Sequence, residues 1–348
     1  MLAAPPGVAM APANDGSETP HVWRQTVELV EPFLASVTER LAQQVDLFEP
    51  ELAASAHHTL TAAGKQLRPT LLGLCADATG GLTPGHVTAA AIIEMVHLAT
   101  LVHDDVLDEA QLRRGRRTLA GASGNENAVL FGDCLFAHAL ELAASFPTTE
   151  VCRTVASATK TVCTGEILQN QQRLRFDLPL AEYFRVLEMK TAELFALSCE
   201  LGAYLNAAPS AERAALRQYG LALGTAYQIY DDCLDVFGTE SVAGKSLGTD
   251  LAHGKLTLPL LLFRDTASAG ELAAVQKLVR DWEPEALAPV LEALRQQRAL
   301  ERSLDVLHQH LQQGRLAATA LGSRNARLLQ LADFLAHRAD ALAALPLA

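Results

Sequence analysis

Two aspartate runs of identical spacing are the feature of this sequence best suited to chemistry. Asp104, Asp105 and Asp108 form one DDxxD pattern in "LVHDDVLDEA", and Asp231, Asp232 and Asp235 form a second in "QIYDDCLDVFG". Four positions separate the outer aspartates of each run, so a helix stacks them on one face, one turn apart. Like charges placed this way cost an isolated helix roughly 0.2–0.5 kcal/mol, and more where water is partly excluded. A hard divalent cation offsets that repulsion. Mg²⁺ in particular is held by one or two carboxylates together with waters and substrate phosphates. A single run reads equally well as a solvated acidic helix end. Two copies, each closing a long apolar segment, favour the metal.

The basic residues nearby fit the same ligand. Arg113 and Arg114 lie a turn or more beyond Asp108, where guanidinium groups grip phosphate oxygens in pairs. "GKQLRP" supplies Lys65 and Arg68, and "GKSLGTDLAHGK" supplies Lys245 and Lys255 after the second aspartate run. Each of these cations taken alone is an ordinary solubilising residue; their joint placement near two acidic runs points to a diphosphate.

Helices must position these groups. Of the 348 residues 49% are hydrophobic and only 5% aromatic, a balance suited to packed helices. Apolar residues recur at spacings of three and four from Val22 onward, without sustained alternation. Thr83-Pro84 marks a helix start for "HVTAAAIIEMVHLATLVHDDVLDEA". Further long helices are expected over "LAEYFRVLEMKTAELFALSCELGAYL" and "AERAALRQYGLALGTAYQIYDDCLDVFG", the latter ended by Gly238. All three are apolar on most of their circumference and belong inside a bundle. "RRGRRTLAGASGNEN" and "GTESVAGKSLGTDLAHGK" read as long functional loops. The expected fold is all-α, a single-domain bundle of helices around a central cavity. A disordered Ala/Pro-rich tail over residues 1–20 precedes a domain over 21–348, with no linker inside it.

A net charge of -12 argues against general nucleic-acid binding. Six cysteines at 75, 134, 152, 163, 199 and 233 have no metal-ligand spacing and read as free thiols in a reducing, cytoplasmic setting. The apolar stretches around 89–102 and 256–263 read as too short or too interrupted to span a bilayer, so no transmembrane segment is expected.

Taken together, the motifs "GKQLRP", "EMVHLATLVHDDVLDEAQLRRG", "GNENAVLFGD", "TGEILQ", "MKTAELF", "YQIYDDCLDVFG" and "GKSLGTDLAHGKLTLPLL" resemble the trans-isoprenyl diphosphate synthases, or polyprenyl synthetases. The octaprenyl and heptaprenyl enzymes are the most similar members. The resemblance covers roughly residues 60–262 and implies the isoprenoid synthase fold of ten or more helices. It also implies a residue map. Asp104, Asp108 and Asp231, supported by Asp105, Asp232 and Asp235, would hold Mg²⁺, three ions in all, against an allylic diphosphate. Arg113, Lys190, Lys245 and Lys255 would grip that diphosphate. Lys65, Arg68, His97 and Arg114 would take the diphosphate of isopentenyl diphosphate, with Gly64 permitting close backbone approach. Thr191 and Gln228 would lie beside the developing allylic cation. His103 is left without a role.

The implied reaction ionises the allylic C–O bond, adds isopentenyl diphosphate and loses a proton; by family precedent the departing pyrophosphate takes it. The product is again an allylic diphosphate, so growth continues until the tail meets a wall. Ala99 and Thr100, five and four residues before Asp104, are small where short-chain family members commonly carry Phe or Tyr. That favours a linear all-trans product of medium-to-long chain. Two family-pattern departures, Arg117 for a common Pro and Tyr227 for a common Phe, touch no metal ligand. A short-chain farnesyl or geranylgeranyl synthase is the first alternative and a class I terpene cyclase the next, although a cyclase's second motif usually mixes Asn, Ser or Thr with Glu and "DDCLD" is acidic only through aspartate. A non-catalytic partner subunit would have lost part of an aspartate run, and a dinuclear iron bundle would need paired Glu-x-x-His ligands. The resemblance further implies a homodimer, and transient membrane contact on product release.

Overall fold

Thr83 and Pro84 open the helix that carries the first aspartate run, as the sequence requires. The structure, a computed structural model, describes residues 27–61, 64, 66–113, 115–239 and 246–344. The tail over 1–20, Lys65, Arg114 and Lys245 lie outside the described residues.

Helices account for nearly every element. In chain order they are α1 (Glu31–Val45), α2 (Ala53–Leu60), α3 (Leu67–Thr79), α4 (Pro84–Leu107), α5 (Leu119–Ser123), α6 (Asn125–Ala144), α7 (Thr149–Gln171), α8 (Leu180–Leu187), α9 (Glu193–Tyr204) and α10 (Ser210–Phe237). There follow α11 (Thr249–Ala252), α12 (Leu258–Arg264), α13 (Ala269–Arg280), α14 (Leu287–Gln296), α15 (Ala299–Ala318) and α16 (Ala326–Ala343). The only strands among the described residues, β1 (Leu112–Arg113) and β2 (Arg116–Arg117), pair antiparallel across a turn at Gly115. This ribbon and α5 occupy a stretch that reads as irregular loop. Two-residue strands are too short to leave an alternating pattern.

Two compact units are distinguished. One comprises Met1–Ala156, Leu197–Ala214 and Ser323–Leu331; the other comprises Ser157–Ala196, Ala215–Gly322 and Ala332–Ala348. Neither is a continuous stretch of chain, so no linker composition could mark them in the sequence.

In the first unit α4 packs against α1, α3 and α6. Every residue from Ala89 to Val96 is buried, Glu94 included, which is the burial expected of a helix apolar all round. By length and composition α4 and α6 could each cross a membrane; α4 has 61% of its apolar window buried inside the protein, and α6 has 33%. His86, fully buried, fixes the start of α4. Its Nδ1 accepts from the Thr83 N–H at 3.0 Å, and its Nε2 meets the Gly202 carbonyl at 3.1 Å.

The end of α4 falls earlier than its sequence pattern suggests. Glu109 adopts φ 50°, its N–H donates to Val106 O at 3.2 Å, and the Ala110 N–H donates to Asp105 O at 2.9 Å. This pair of bonds closes the helix at Leu107. Glu109 supplies the left-handed residue usually given by Gly, so the stop carries no signal in residue type.

In the second unit α12 packs on α8, α14 and α15. The segment 180–205, which reads as one helix, is interrupted by a π turn over Glu188–Ala192, where the Glu193 N–H donates to Glu188 O. One extra residue is accommodated there without a loop.

Candidate functional site

The first acidic cluster occupies the C-terminal turn of α4. Backbone carbonyls there already present partial negative charge, so three aspartates gathered in that turn need cations nearby. Asp108 continues the helical hydrogen bonding, its N–H donating to Asp104 O at 2.8 Å, which keeps the two side chains on one face. Both are half-buried, whereas Asp105 is buried and accepts from Arg113 Nε at 2.8 Å. Burial pushes the Asp105 carboxyl upward, the Arg113 guanidinium pulls it back, and Asp104 and Asp108 push it up again. The β1–β2 ribbon thus brings Arg113 to the middle aspartate.

His97, Thr100, Asp104 and Asp108 follow at helical spacing along α4. His97 is half-buried, and Thr100, 9% exposed, donates to the His97 carbonyl at 2.7 Å. Ala99 is wholly buried. Arg68, in the first turn of α3, is half-buried, and Gly64 is exposed.

The second cluster closes α10, and its three aspartates differ sharply. Asp231 is half-buried. Asp232, 4% exposed, accepts from Gln228 Nε2 at 2.8 Å and from the Tyr183 hydroxyl at 2.6 Å. Burial pushes its carboxyl well up and the neighbouring Asp250 charge adds to this; the two donated hydrogen bonds oppose it. Asp235, fully buried, accepts from the Thr249 hydroxyl at 2.6 Å and the Asp250 N–H at 3.0 Å, and so anchors α11. Asp250 is a further site candidate, one that residue type alone does not single out in "GKSLGTDLAHGK". Its half-buried carboxylate is close enough to Asp232 to repel it. Lys255, also half-buried, donates its N–H to Asp250 O at 2.8 Å.

Lys190 and Thr191 lie on the π turn. Lys190 Nζ donates to Glu166 Oε2 at 2.8 Å and to Gln169 Oε1 at 3.0 Å, both on α7. The Thr191 hydroxyl donates to Gln228 Oε1 at 2.8 Å. Tyr227 stacks its ring on Phe195, with centroids 5.6 Å apart. Glycine sets these distances: a Cβ on Gly165 of α7 would lie 2.7 Å from Lys190 N.

Among the described residues no three His, Cys, Asp or Glu side chains form a group able to hold a metal ion. Carboxylates supplied in ones and twos suit a cation whose remaining ligands are water and phosphate.

Comparison with known proteins assigns the class. The polyprenyl synthetase family model matches residues 49–296. Heptaprenyl diphosphate synthase component 2 of Geobacillus stearothermophilus is 38% identical over 279 residues, 80% of this chain and 86% of that protein. Among solved structures, a decaprenyl diphosphate synthase from Rhodobacter capsulatus superposes with a TM-score of 0.83 at 32% identity, covering 90% of this chain and 98% of that one. A polyprenyl synthase from Caulobacter crescentus CB15, complexed with calcium and isoprenyl diphosphate, gives a TM-score of 0.84 at 34% identity, covering 90% and 97%. The chain belongs to the polyprenyl synthetase family and has the all-α isoprenoid synthase fold.

Proposed function

We propose that this chain is a Mg²⁺-dependent prenyltransferase that condenses an allylic diphosphate with isopentenyl diphosphate, repeatedly, to a linear all-trans polyprenyl diphosphate of medium-to-long chain. The observation that carries the reading is the pair Asp104 and Asp108, half-buried and one turn apart at the helix end least able to bear negative charge. Their hard oxygen donors fit Mg²⁺. Asp231 and Asp250 offer the same chemistry at the end of α10 and the start of α11, and three ions in all follow family precedent. Bound Mg²⁺ would neutralise charge on the diphosphate oxygens.

The chain's own residues do the rest. Arg113, Lys190, Lys245 and Lys255 hold the allylic diphosphate; Lys65, Arg68, His97 and Arg114 hold that of isopentenyl diphosphate. Hydroxyl and carbonyl dipoles of Thr191 and Gln228 stabilise the allylic cation. Departing pyrophosphate accepts the proton. Small residues at 99 and 100 favour the longer products over a farnesyl or geranylgeranyl one.

The domain spans residues 21–348 and acts as a homodimer in a reducing cytoplasm, which suits six free cysteines. The Geobacillus relative is named as one component of its enzyme, so a second subunit is the reading to test beside the homodimer. Incubating the purified chain alone with Mg²⁺, farnesyl diphosphate and labelled isopentenyl diphosphate, then sizing products and particle mass, tests all of this. Cyclic hydrocarbon would overturn the activity, and no product from the chain alone would overturn the homodimer in favour of a second subunit. Products no longer than geranylgeranyl diphosphate would overturn the chain-length class.

A further inference from the structure

Tyr183 of α8, Asp232 and Gln228 of α10, and Thr191 of the π turn form one line of hydrogen bonds within the second unit. The Tyr183 hydroxyl donates to Asp232 Oδ2 at 2.6 Å, and Gln228 Nε2 donates to Oδ1 at 2.8 Å. At the other end of the amide, Oε1 accepts from the Thr191 hydroxyl at 2.8 Å. Tyr183 is 7% exposed and Asp232 4%.

A carboxamide has one end that only donates and one that only accepts. A carboxylate at Nε2 therefore decides which end reaches Thr191, since the flipped amide would set oxygen against oxygen. Oδ2 is engaged by Tyr183, which fixes the rotation of the carboxylate and keeps Oδ1 aimed at the amide.

We infer that Tyr183 is a positioning residue for allylic ionisation, acting through Asp232 to hold the Gln228 amide with its oxygen on the Thr191 side, and that Asp232 serves this line rather than a metal ion. The inference rests on the proposed roles of Thr191 and Gln228, and deepens them. An amide free to flip would offer its positive end to a forming cation half of the time.

Steady-state kinetics with Mg²⁺, farnesyl diphosphate and isopentenyl diphosphate test it. Tyr183→Phe is expected to lower kcat about tenfold while both KM values and the half-saturating Mg²⁺ concentration stay within about twofold. In a Gln228→Leu background the same substitution should have no further effect, because nothing is left to position. Asp232→Asn should also lower kcat without raising the Mg²⁺ requirement, whereas Asp231→Asn should raise it. Three results would overturn the inference: wild-type kcat in Tyr183→Phe, an equal loss in the Gln228→Leu background, or an Mg²⁺ requirement raised in Asp232→Asn as in Asp231→Asn. Should Tyr183→Phe not fold, the two aspartate variants decide alone. A wild type that forms no prenyl product, alone or with a second subunit, overturns the reading of function and this inference with it; an active wild type beside an indifferent Tyr183→Phe overturns the inference alone.

Discussion

A Cβ placed on Gly224 would lie 2.7 Å from the Ala192 Cα, so α10 meets the π turn backbone to backbone. Neither main chain can yield as a flexible side chain would. Gly224→Ala is expected to cost about 1–3 kcal/mol of stability and to depress turnover, because Thr191 lies beside Ala192. Thermal unfolding and steady-state rates measure both. Gly270→Ala, where nothing lies within 4 Å, is the control and should lose neither.

Asp104 and Asp231, each first in its run, are half-buried, and Asp105 is tied to Arg113. Asp104→Asn and Asp231→Asn should each lower kcat/KM by about 10²–10³-fold. Asp105→Asn should leave the Mg²⁺ half-saturation nearer to wild type than Asp104→Asn does. Titrating Mg²⁺ into chelator-stripped enzyme separates these effects, and the stripped enzyme should be inactive.

Ala99 is wholly buried, so a large side chain there needs room already present. Ala99→Phe should shorten the product series while the protein keeps its fold. Product sizing and a melting curve on one preparation are both needed. Overpacking without a product channel would instead cost about 1–3 kcal/mol and leave chain length unchanged.

Burial holds the His86 imidazole below its ordinary 6.5, although its bond to Gly202 opposes the shift. The unfolded chain therefore takes up the proton more readily than the folded one. Stability from neutral His86 is complete above about 6.5 and is lost as pH falls through the lowered folded value. His138 and His310, also lowered by burial, act in the same direction. Between pH 7.5 and 5.5 (assay values of about one unit to either side of an unperturbed histidine), His86→Gln should lose less melting temperature than wild type. Gln is a normal capping partner for Thr83 and does not titrate.

Much of this was legible because the signals were local. Thr83-Pro84 declared the start of α4, and repeated spacing picked out both aspartate runs. What the sequence could not declare was set by tertiary neighbours. Glu109 ends a helix in a conformation that its residue type does not advertise. The π turn leaves no trace in hydrophobic period. Asp231, Asp232 and Asp235 look equivalent as letters, and only burial and bonding separate the half-buried Asp231 from Asp232, held by Tyr183 and Gln228, and from Asp235, which anchors α11. Asp250 was hidden for a related reason: its neighbourhood with Asp232 exists only once α11 is pinned to α10.

The widened turn at Glu188–Ala192 is a change of phase in an otherwise continuous rod. Every residue of a regular helix advances the side chains by about 100°. Removing one residue from the widened turn would mend the helix and swing α8 by about that angle, carrying the Tyr183 phenol away from the carboxylate it now meets. Residue number between 183 and 191 is therefore fixed by the bond that Tyr183 makes to Asp232. An exposed letter such as Glu188 can be exchanged there more safely than the count can be altered.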